Sequence, residues 1–250
     1  MFMRIQARPV RAMVVCCVLL MACLGSGESR AASLQVAPTS LQLAARDNAG
    51  ALWITNSGTE PVNVQARVFR WTQREGRDSL EPATDLVVSP PMQSLAAGQQ
   101  QLIRVVRAHP GPPPQQLAYR VIVDEVPTLD PNRQGMQFVL RYSLPVFIQP
   151  EGAASLEPEL QSRVLAGSDG RPVLEVHNRG AGYAQLADLA TGTPERPQIF
   201  QPGLLGYVLG GQTMRWPLEI DAARLAGATL TAKINGGSRA TPLSPTPPAR

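Results

Sequence analysis

Apolar and polar positions alternate along the stretch from Met136 to Ile148, near the middle of the chain. Its even-numbered positions are all apolar: Met136, Phe138, Leu140, Tyr142, Leu144, Val146 and Ile148. A period of two residues predicts one long β-strand with one apolar face. Because Pro145 cannot donate a ladder hydrogen bond, we expect this strand to lie at a sheet edge, at least over its second half. Its apolar face either lies in the core of its own domain or is offered to another polypeptide by β-augmentation.

Shorter strands are predicted on the N-terminal side of this stretch, with turn residues between them at steps of about ten residues. The first, Leu34 to Leu43, is interrupted by Pro38, which predicts an edge strand or a strand that changes sheets. The others are predicted at 51–56, 62–71, 86–88, 101–107 and 117–126. No convincing helical period accompanies them, and the pattern is typical of a β-sandwich of immunoglobulin type.

A second set of strands is predicted beyond residue 156, again with glycine-rich turns between them. These strands are predicted at 161–165, 172–177, 183–189, 204–209, 214–220 and 228–234. The predicted fold class is all-β, with two immunoglobulin-like β-sandwich domains at an angle and the long strand at the end of the first. The expected boundaries are 32–149 for the N-terminal domain, 150–156 for a hinge and 157–240 for the C-terminal domain. The proline-rich tail, 241–250, is predicted to be disordered.

Residues 1–31 have the pattern of an export signal. The start is basic, and the apolar run from Ala12 to Leu24 is too short to span a bilayer. Cys23 lies in a segment that loosely resembles a lipoprotein signal, which leaves its lipidation open. All 3 cysteines of the chain lie in this leader, so the exported chain has no disulfide and depends on burial for its stability.

The charge and the residue types argue against a nucleic-acid partner and against an enzyme. The chain has 23 Lys and Arg against 19 Asp and Glu, and most of the excess lies in the leader. The exported chain is therefore nearly neutral, which is not the electrostatic footprint of nucleic-acid binding. Its two histidines, His109 and His177, have no metal-ligand neighbours at a suitable spacing. We expect no catalytic site, no metal and no cofactor.

Several segments carry a resemblance to a known family. Ser89–Gln99 contains paired prolines before an Ala-Gly turn, and Tyr119–Pro127 ends in Glu-Val-Pro. Leu140–Phe147 contains the sequence RYSLPVF, and Gly206–Leu209 is followed by Arg215–Leu218. Together these segments resemble the PapD-like periplasmic chaperones of bacterial pili, in the non-classical branch that serves Csu-type and spore-coat-U-like fimbriae.

The resemblance implies a function for the long strand. Such a chaperone, in the periplasm, caps the incomplete immunoglobulin fold of a pilin or fimbrial subunit by donor-strand complementation and delivers it to an outer-membrane usher. Met136, Phe138 and Leu140 match the residues that the family inserts into the subunit, and Tyr142 and Leu144 extend the series. The resemblance implies no small-molecule substrate, and it allows a self-capping dimer when no subunit is bound.

One departure concerns the anchor for the subunit's terminal carboxylate. Other members use an arginine on the first strand and a lysine on the donor strand, and Ser40 and Ser143 stand at those positions here. A carboxylate that leaves water needs a cation or several hydrogen-bond donors. We expect Arg120 to be the anchor, with Arg141 as the second choice. The alternative for either arginine is an internal ion pair with Asp124 or a glutamate.

Two other classes of protein fit the sequence less well. A secreted carbohydrate-binding or adhesion module would need an exposed aromatic platform, whereas we expect Trp53 and Trp71 to be structural. A hydrolase built from loops is disfavoured by the scarcity of histidine and cysteine.

Overall fold

The computed structural model describes residues 34–127, 138–152, 156–225 and 227–245. The predicted export signal and Met136 lie outside these residues. Within them the chain is almost entirely strand, which confirms the all-β fold class, and it forms four sheets that pack as two β-sandwiches. No helix in this part of the chain is long and apolar enough to cross a membrane.

The first sandwich contains ten strands. They are β1 (Leu34–Ala37), β2 (Leu41–Leu43), β3 (Ala49–Asn56), β4 (Val62–Arg74), β5 (Arg77–Pro82), β6 (Leu86–Ser89), β7 (Met92–Leu95), β8 (Gln100–Arg107), β9 (Leu117–Val126) and β10 (Arg141–Ile148). One sheet has the order β1-β3-β8-β6, and the other has the order β2-β10-β9-β4-β5, with β7 paired to β4. The prediction for the break at Pro38, an edge strand or a change of sheets, is confirmed, since β1 and β2 belong to opposite sheets and each lies at an edge.

The core of this sandwich comes from the alternation that the sequence shows. Leu52 and Ile54 of β3 are fully buried and pack in one cluster with Val121 and Val123 of β9 in the opposite sheet. Burial of apolar surface at about 25 cal/mol per Å² is the main stabilising contribution in such a core. Strand β5 was not predicted, because its sequence is polar and most of its positions are exposed.

The long central strand differs from its prediction in two ways. It begins at Arg141, and the three described residues before it are not part of a strand. The edge also lies on the other half: β2 pairs in parallel with Val146–Ile148, while Arg141–Pro145 have no strand on that side among the described residues. The physical reason is the break at Pro38, which returns the chain beside the second half of β10.

The second sandwich follows residue 156. Its strands are β11 (Leu160–Ala166), β12 (Pro172–Asn178), β13 (Ala184–Thr193), β14 (Arg196–Val208), β15 (Thr213–Pro217), β16 (Leu230–Ile234), β17 (Ala240–Pro242) and β18 (Ser244–Pro245), with one short helix, α1 (Ala222–Leu225). The sheets have the orders β15-β12-β11-β18 and β14-β13-β16-β17. Leu174, Val176 and Leu186 lie fully buried between them.

The predicted disorder of the tail is wrong for its first half. β17 pairs with β16, and β18 pairs in parallel with β11. Leu243, between these two strands, is only 3% exposed and belongs to the second core. Proline content misled the prediction, because Pro242 and Pro245 lie on edge strands, where a missing N–H is tolerated.

Replacement of Leu243 by alanine should therefore destabilise the protein. We expect Leu243→Ala to lower the free energy of unfolding by about 2 kcal/mol, because it leaves a cavity at the margin of a core. Urea denaturation of the purified protein measures this, with the exposed Pro242→Ala as a control. Equal unfolding midpoints for Leu243→Ala and the parent would show that the tail does not contribute to the core.

Candidate functional site

The open part of β10 carries unpaired backbone groups. The Glu125 N–H donates to the Leu140 carbonyl, which fixes the hydrogen-bonding phase of β9 and β10. Because hydrogen-bonded pairs alternate along an antiparallel ladder, Arg141 and Ser143 direct their N–H and C=O groups away from β9. On that side the described residues provide no strand before β2 begins at Leu41. An extended segment of another polypeptide can pair there.

The apolar side chains from Phe138 to Leu144 become more exposed toward the N-terminal end of this segment. Leu144 is 4% exposed and lies inside the first sandwich, and Tyr142 packs against the same core and donates its hydroxyl hydrogen to the Leu34 carbonyl. Leu140 is half-buried against the core. Phe138 is 80% exposed. The series of large apolar side chains therefore divides between residues that fill their own domain and residues that face solvent.

The two sandwiches meet at a cluster of aromatic side chains. Trp71 and Phe147 belong to the first domain, and Tyr183 and Tyr207 belong to the second. Phe147 and Tyr183 stack with ring centroids 3.7 Å apart, and Trp71 meets Tyr207 edge-on at 5.3 Å. The expectation that Trp71 is a core aromatic is confirmed, but the core to which it belongs joins the two domains.

Arg120 lies on this cluster. Its guanidinium carbon is 3.7 Å from the Trp71 ring centroid and 4.9 Å from that of Tyr207. One of its Nη atoms lies 3.4 Å from the Ser143 carbonyl oxygen, and the described residues give it no ion pair. Burial lowers the pKa of Arg120, although Tyr207 and Asp78 oppose this, and a guanidinium stays charged at neutral pH. The site thus presents a half-buried cation that forms no salt bridge with the described residues, and Asp78, the carboxylate that acts on it, is hydrogen-bonded to Trp71 and Gln73.

The register of the sheet places Arg120 at the end of the open edge. Arg120 is paired with Pro145, the residue that separates the open part of β10 from the part covered by β2. Ser40 and Ser143, which stand at the positions of the expected arginine and lysine anchors, are both exposed. They add hydroxyl groups to the region but no charge.

Arg141 has the internal partner that the alternative interpretation required. Its Nε donates to Asp124, which also accepts from Arg67. Burial alone raises the pKa of Asp124, but the hydrogen bonds from Arg141 and Arg67 outweigh it and hold that pKa below its usual range. Because the Arg141 side chain is mostly exposed, this pair contributes little stability. Its guanidinium is nevertheless already engaged with a carboxylate.

The comparisons with known proteins agree with this geometry. Residues 33–154 match the family of the PapD N-terminal domain, described as a pili and flagellar-assembly chaperone. The chain is also similar to the crystal structure of the CsuC–CsuE chaperone–tip adhesion subunit pre-assembly complex from the archaic chaperone-usher Csu pili of Acinetobacter baumannii. The identity is 25%, the TM-score is 0.68, and the match covers 84% of this chain and 97% of that one. The chain belongs to the PapD-like pilus chaperones.

Other solved structures share the fold at lower identity. The CupB2 chaperone of Pseudomonas aeruginosa has 17% identity and a TM-score of 0.55, covering 84% of this chain and all (100%) of that chain. The complex of the Salmonella enterica SafA pilin with the SafB chaperone gives 18% identity and a TM-score of 0.56, covering 86% and 96%. These matches confirm two immunoglobulin-like domains. No curated protein matched the chain.

The family assignment also decides between the competing classes of function. The matched family consists of assembly chaperones, so this chain is a pilus chaperone and not an enzyme. Among its described residues, no group of three or more His, Cys, Asp or Glu side chains is arranged to hold a metal. The His177 Nδ1 atom lies 3.0 Å from the Thr213 hydroxyl oxygen, and this hydrogen bond joins two neighbouring strands.

Sequence reasoning missed the residues of the chaperone that connect its two domains. Gln73 of β4 bonds to the backbone of β14 and of the residues after it, and Arg215 of β15 donates its backbone N–H to Gly76 at 3.2 Å. Gly76 has φ +78°, and a Cβ there would meet the Arg215 side chain at 2.8 Å. The only available signal was polarity: Gln73 lies near the end of β4, on the face that carries Asn63, Gln65 and Arg67 in the first half of the strand.

Arg215, which bonds to Gly76 across the domains, also binds a buried carboxylate. Glu175 accepts hydrogen bonds from the Nε atoms of Arg163 at 2.5 Å and Arg215 at 2.6 Å. Burial alone raises the pKa of Glu175, but these two hydrogen bonds outweigh it, and the net pKa lies below the usual range. A depressed carboxyl pKa stabilises the folded state above the unfolded pKa of about 4.3, and this stabilisation is lost as the pH falls through the folded pKa.

This sign predicts an acid-dependent loss of stability in the chaperone. Between about pH 6 and pH 3, the parent should lose more free energy of unfolding than Glu175→Gln, whose side chain does not titrate. Urea denaturation at both pH values measures the difference. Glu151→Gln, in an exposed pair with Arg46, should behave like the parent. The same pH dependence in parent and Glu175→Gln would contradict the prediction.

Proposed function

We propose that this chaperone captures pilin-type subunits in the periplasm by donating the segment from Met136 to Leu140 together with the open part of β10. The observation that carries the proposal is the adjacency of Phe138, 80% exposed, to the unpaired edge at Arg141–Pro145. A large apolar side chain beside open backbone donors and acceptors is what β-augmentation requires. The periplasmic location rests on the export signal and on the family.

The apolar side chains supply affinity. Met136, Phe138 and Leu140 would enter a hydrophobic groove of the subunit, where each buried side chain is worth about 1.5–3 kcal/mol before the costs of ordering. The backbone groups of Arg141 and Ser143 would pair with the subunit strand and fix its register. Leu144 would not enter the groove, because it is buried in the chaperone's own core, and Tyr142 would not, because its hydroxyl is bonded to the Leu34 carbonyl. Leu140 also contacts that core but has no such bond, so it would have to turn toward the subunit.

Arg120 would receive the terminal carboxylate of the subunit. A subunit strand that lies parallel to β10 would run in line with β2, which covers Val146–Ile148, and would therefore have to end near Pro145. Arg120 is paired with Pro145 and forms no salt bridge among the described residues. A hydrogen bond to a charged group contributes about 1.5–3 kcal/mol, which would select subunits by the position of their last residue.

The captured subunit would then be delivered to an outer-membrane usher, as the family resemblance implies. No nucleotide site is required, since folding of the subunit and later exchange of the donated strand supply the free energy. The same open edge invites pairing between copies of the chaperone. We expect the free chaperone to self-associate and a bound subunit to prevent it.

Co-expression tests the proposal directly. The tagged chaperone is produced with the secreted proteins encoded near it and is purified from the periplasmic fraction. A secreted protein with an incomplete immunoglobulin fold should co-purify in a stoichiometric complex. Isolation of the chaperone without any such protein, from cells that demonstrably secrete the candidates, would contradict the proposed function.

A further inference from the structure

A single glutamine holds the second domain against the strand that carries Trp71. Gln73 is only 3% exposed. Its Nε2 donates to the Tyr207 carbonyl at 2.9 Å and to Asp78 Oδ1 at 2.9 Å, and its Oε1 accepts from the Leu209 N–H at 2.9 Å. The amide therefore uses both of its N–H groups and its carbonyl oxygen. Two of these bonds cross between the domains.

The backbone that Gln73 holds carries one wall of the Arg120 site. Trp71, two residues before Gln73 on the same face of β4, supplies one ring, and Tyr207 supplies the other. The Trp71 Nε1 donates to the same Asp78 oxygen that accepts from Gln73, at 2.9 Å. The guanidinium thus contacts rings from both domains, which meet edge-on 5.3 Å apart, and one hydrogen-bond network fixes the two rings together.

We propose that Gln73 is a positioning residue for the carboxylate site, because its hydrogen bonds to Tyr207 and Leu209 keep the Tyr207 ring on Arg120. The anchor is then complete only when the two domains are docked. This inference rests on the proposed role of Arg120. Gln73 is buried and would not contact the subunit. Its effect on binding passes through Tyr207.

The physical reason is the flexibility of arginine. A guanidinium on a free side chain loses rotamer entropy when it binds a carboxylate, whereas one held against two rings has already lost it. Binding and domain docking are then linked in both directions, since a ligand that requires the assembled site also stabilises it. A subunit bound at Arg120 would hold the two domains of the chaperone together.

A matched control exists in the same interface. Gln116 also clasps the second domain, with its Oε1 accepting from the Tyr183 N–H at 2.9 Å and its Nε2 donating to Gln149 at 2.9 Å. Tyr183 stacks on Phe147. The ring contacts described for Arg120 are instead with Trp71 and Tyr207. Gln116→Ala removes a similar interdomain bond and leaves in place the hydrogen bonds that hold Trp71 and Tyr207.

The test uses ¹⁵N-labelled full-length chaperone and sodium acetate as the carboxylate probe, with sodium chloride at equal ionic strength as the reference. The side-chain Nε–H signal of Arg120, assigned with Arg120→Lys, reports both the ring contact and acetate binding. In Gln73→Ala the signal should move toward that of an unstacked arginine. The acetate Kd should rise about fivefold, the change expected from releasing one restrained side chain and one ring contact. Gln116→Ala should keep the parent's signal and affinity.

A second variant covers the case in which Gln73→Ala fails to fold. Tyr207→Leu leaves the backbone clasp in place and removes the ring, and it should lose the same affinity. Thermal unfolding shows which variants are folded. Parent-like acetate affinity in folded Gln73→Ala, or in Tyr207→Leu, would overturn the inference, as would the absence of any acetate-dependent shift at Arg120 in the parent.

The outcomes separate this inference from the proposed function. Subunit recovery by the parent together with unchanged acetate binding in Gln73→Ala would refute the role of Gln73 and leave the chaperone mechanism standing. Saturable acetate binding that depends on Gln73, without recovery of any subunit, would support the role of Gln73 and refute the capture mechanism.

Discussion

Replacing Phe138 with arginine should leave the chaperone folded and remove its ability to recover a subunit. Phe138 is 80% exposed, so its replacement disturbs no core. In the complex, the change removes a buried aromatic ring and places a charge in an apolar groove. We expect a loss of at least about 3 kcal/mol, which corresponds to more than a hundredfold in Kd. Co-purification from the periplasm and titration with the isolated subunit measure it.

The control for this variant is a second exposed apolar residue, which lies in the other domain. Leu204 on β14 of the second domain is 58% exposed, and Leu204→Arg makes the same kind of change away from the open edge. Both variants should unfold at the temperature of the parent. Subunit recovery by Phe138→Arg equal to that by Leu204→Arg would rule out donation of this segment.

Replacing Arg120 with alanine should weaken subunit binding much more than replacing Arg141. Arg120 has no ion pair among the described residues, whereas Arg141 shares Asp124 with Arg67. Loss of a charge-assisted hydrogen bond from a half-buried cation costs about 1.5–3 kcal/mol, or roughly tenfold to a hundredfold in Kd. Loss of the exposed Arg141 pair should change Kd by less than about threefold.

Two controls make the comparison specific to the carboxylate. Arg120→Lys keeps the charge and loses the planar contact with the rings, so its affinity should lie between those of the parent and Arg120→Ala. Against a subunit extended by one C-terminal glycine, the parent and Arg120→Ala should bind more nearly alike, because the carboxylate is displaced. A greater loss in Arg141→Ala than in Arg120→Ala would assign the anchor to Arg141.

The sequence was enough to predict most of the architecture of the chaperone. Alternation within β4, β8 and β9, and the turn residues between strands, are local signals, so the all-β class and the two sandwiches could be derived without coordinates. The RYSLPVF segment led to the family. The break at Pro38 predicted an edge strand or a change of sheet, because a proline in a strand removes a ladder donor wherever the strand lies.

Other features depend on which distant strands become neighbours. Periodicity showed that β10 has an apolar face, but not that β2 covers its second half and leaves Arg141–Pro145 open. It could not tell that Leu144 fills its own core while Phe138 faces solvent. It also could not anticipate that Leu243, in a proline-rich tail, completes the second core. An apolar pattern predicts that side chains will be buried, and only the fold decides which surface covers them.

The same limit applies to the arginines. Arg120 and Arg141 were both candidates from the sequence, since each lies on a strand of the right sheet. Strand register alone brings Asp124 next to Arg141, and it alone brings Trp71 next to Arg120. Gln73 and Tyr207 are 134 positions apart in the chain. Local sequence therefore determined the strands and the chemistry available on them. Docking of the two domains decided which arginine lies against two aromatic rings without a salt bridge to any described residue, because that property arises from contacts between residues far apart in the chain.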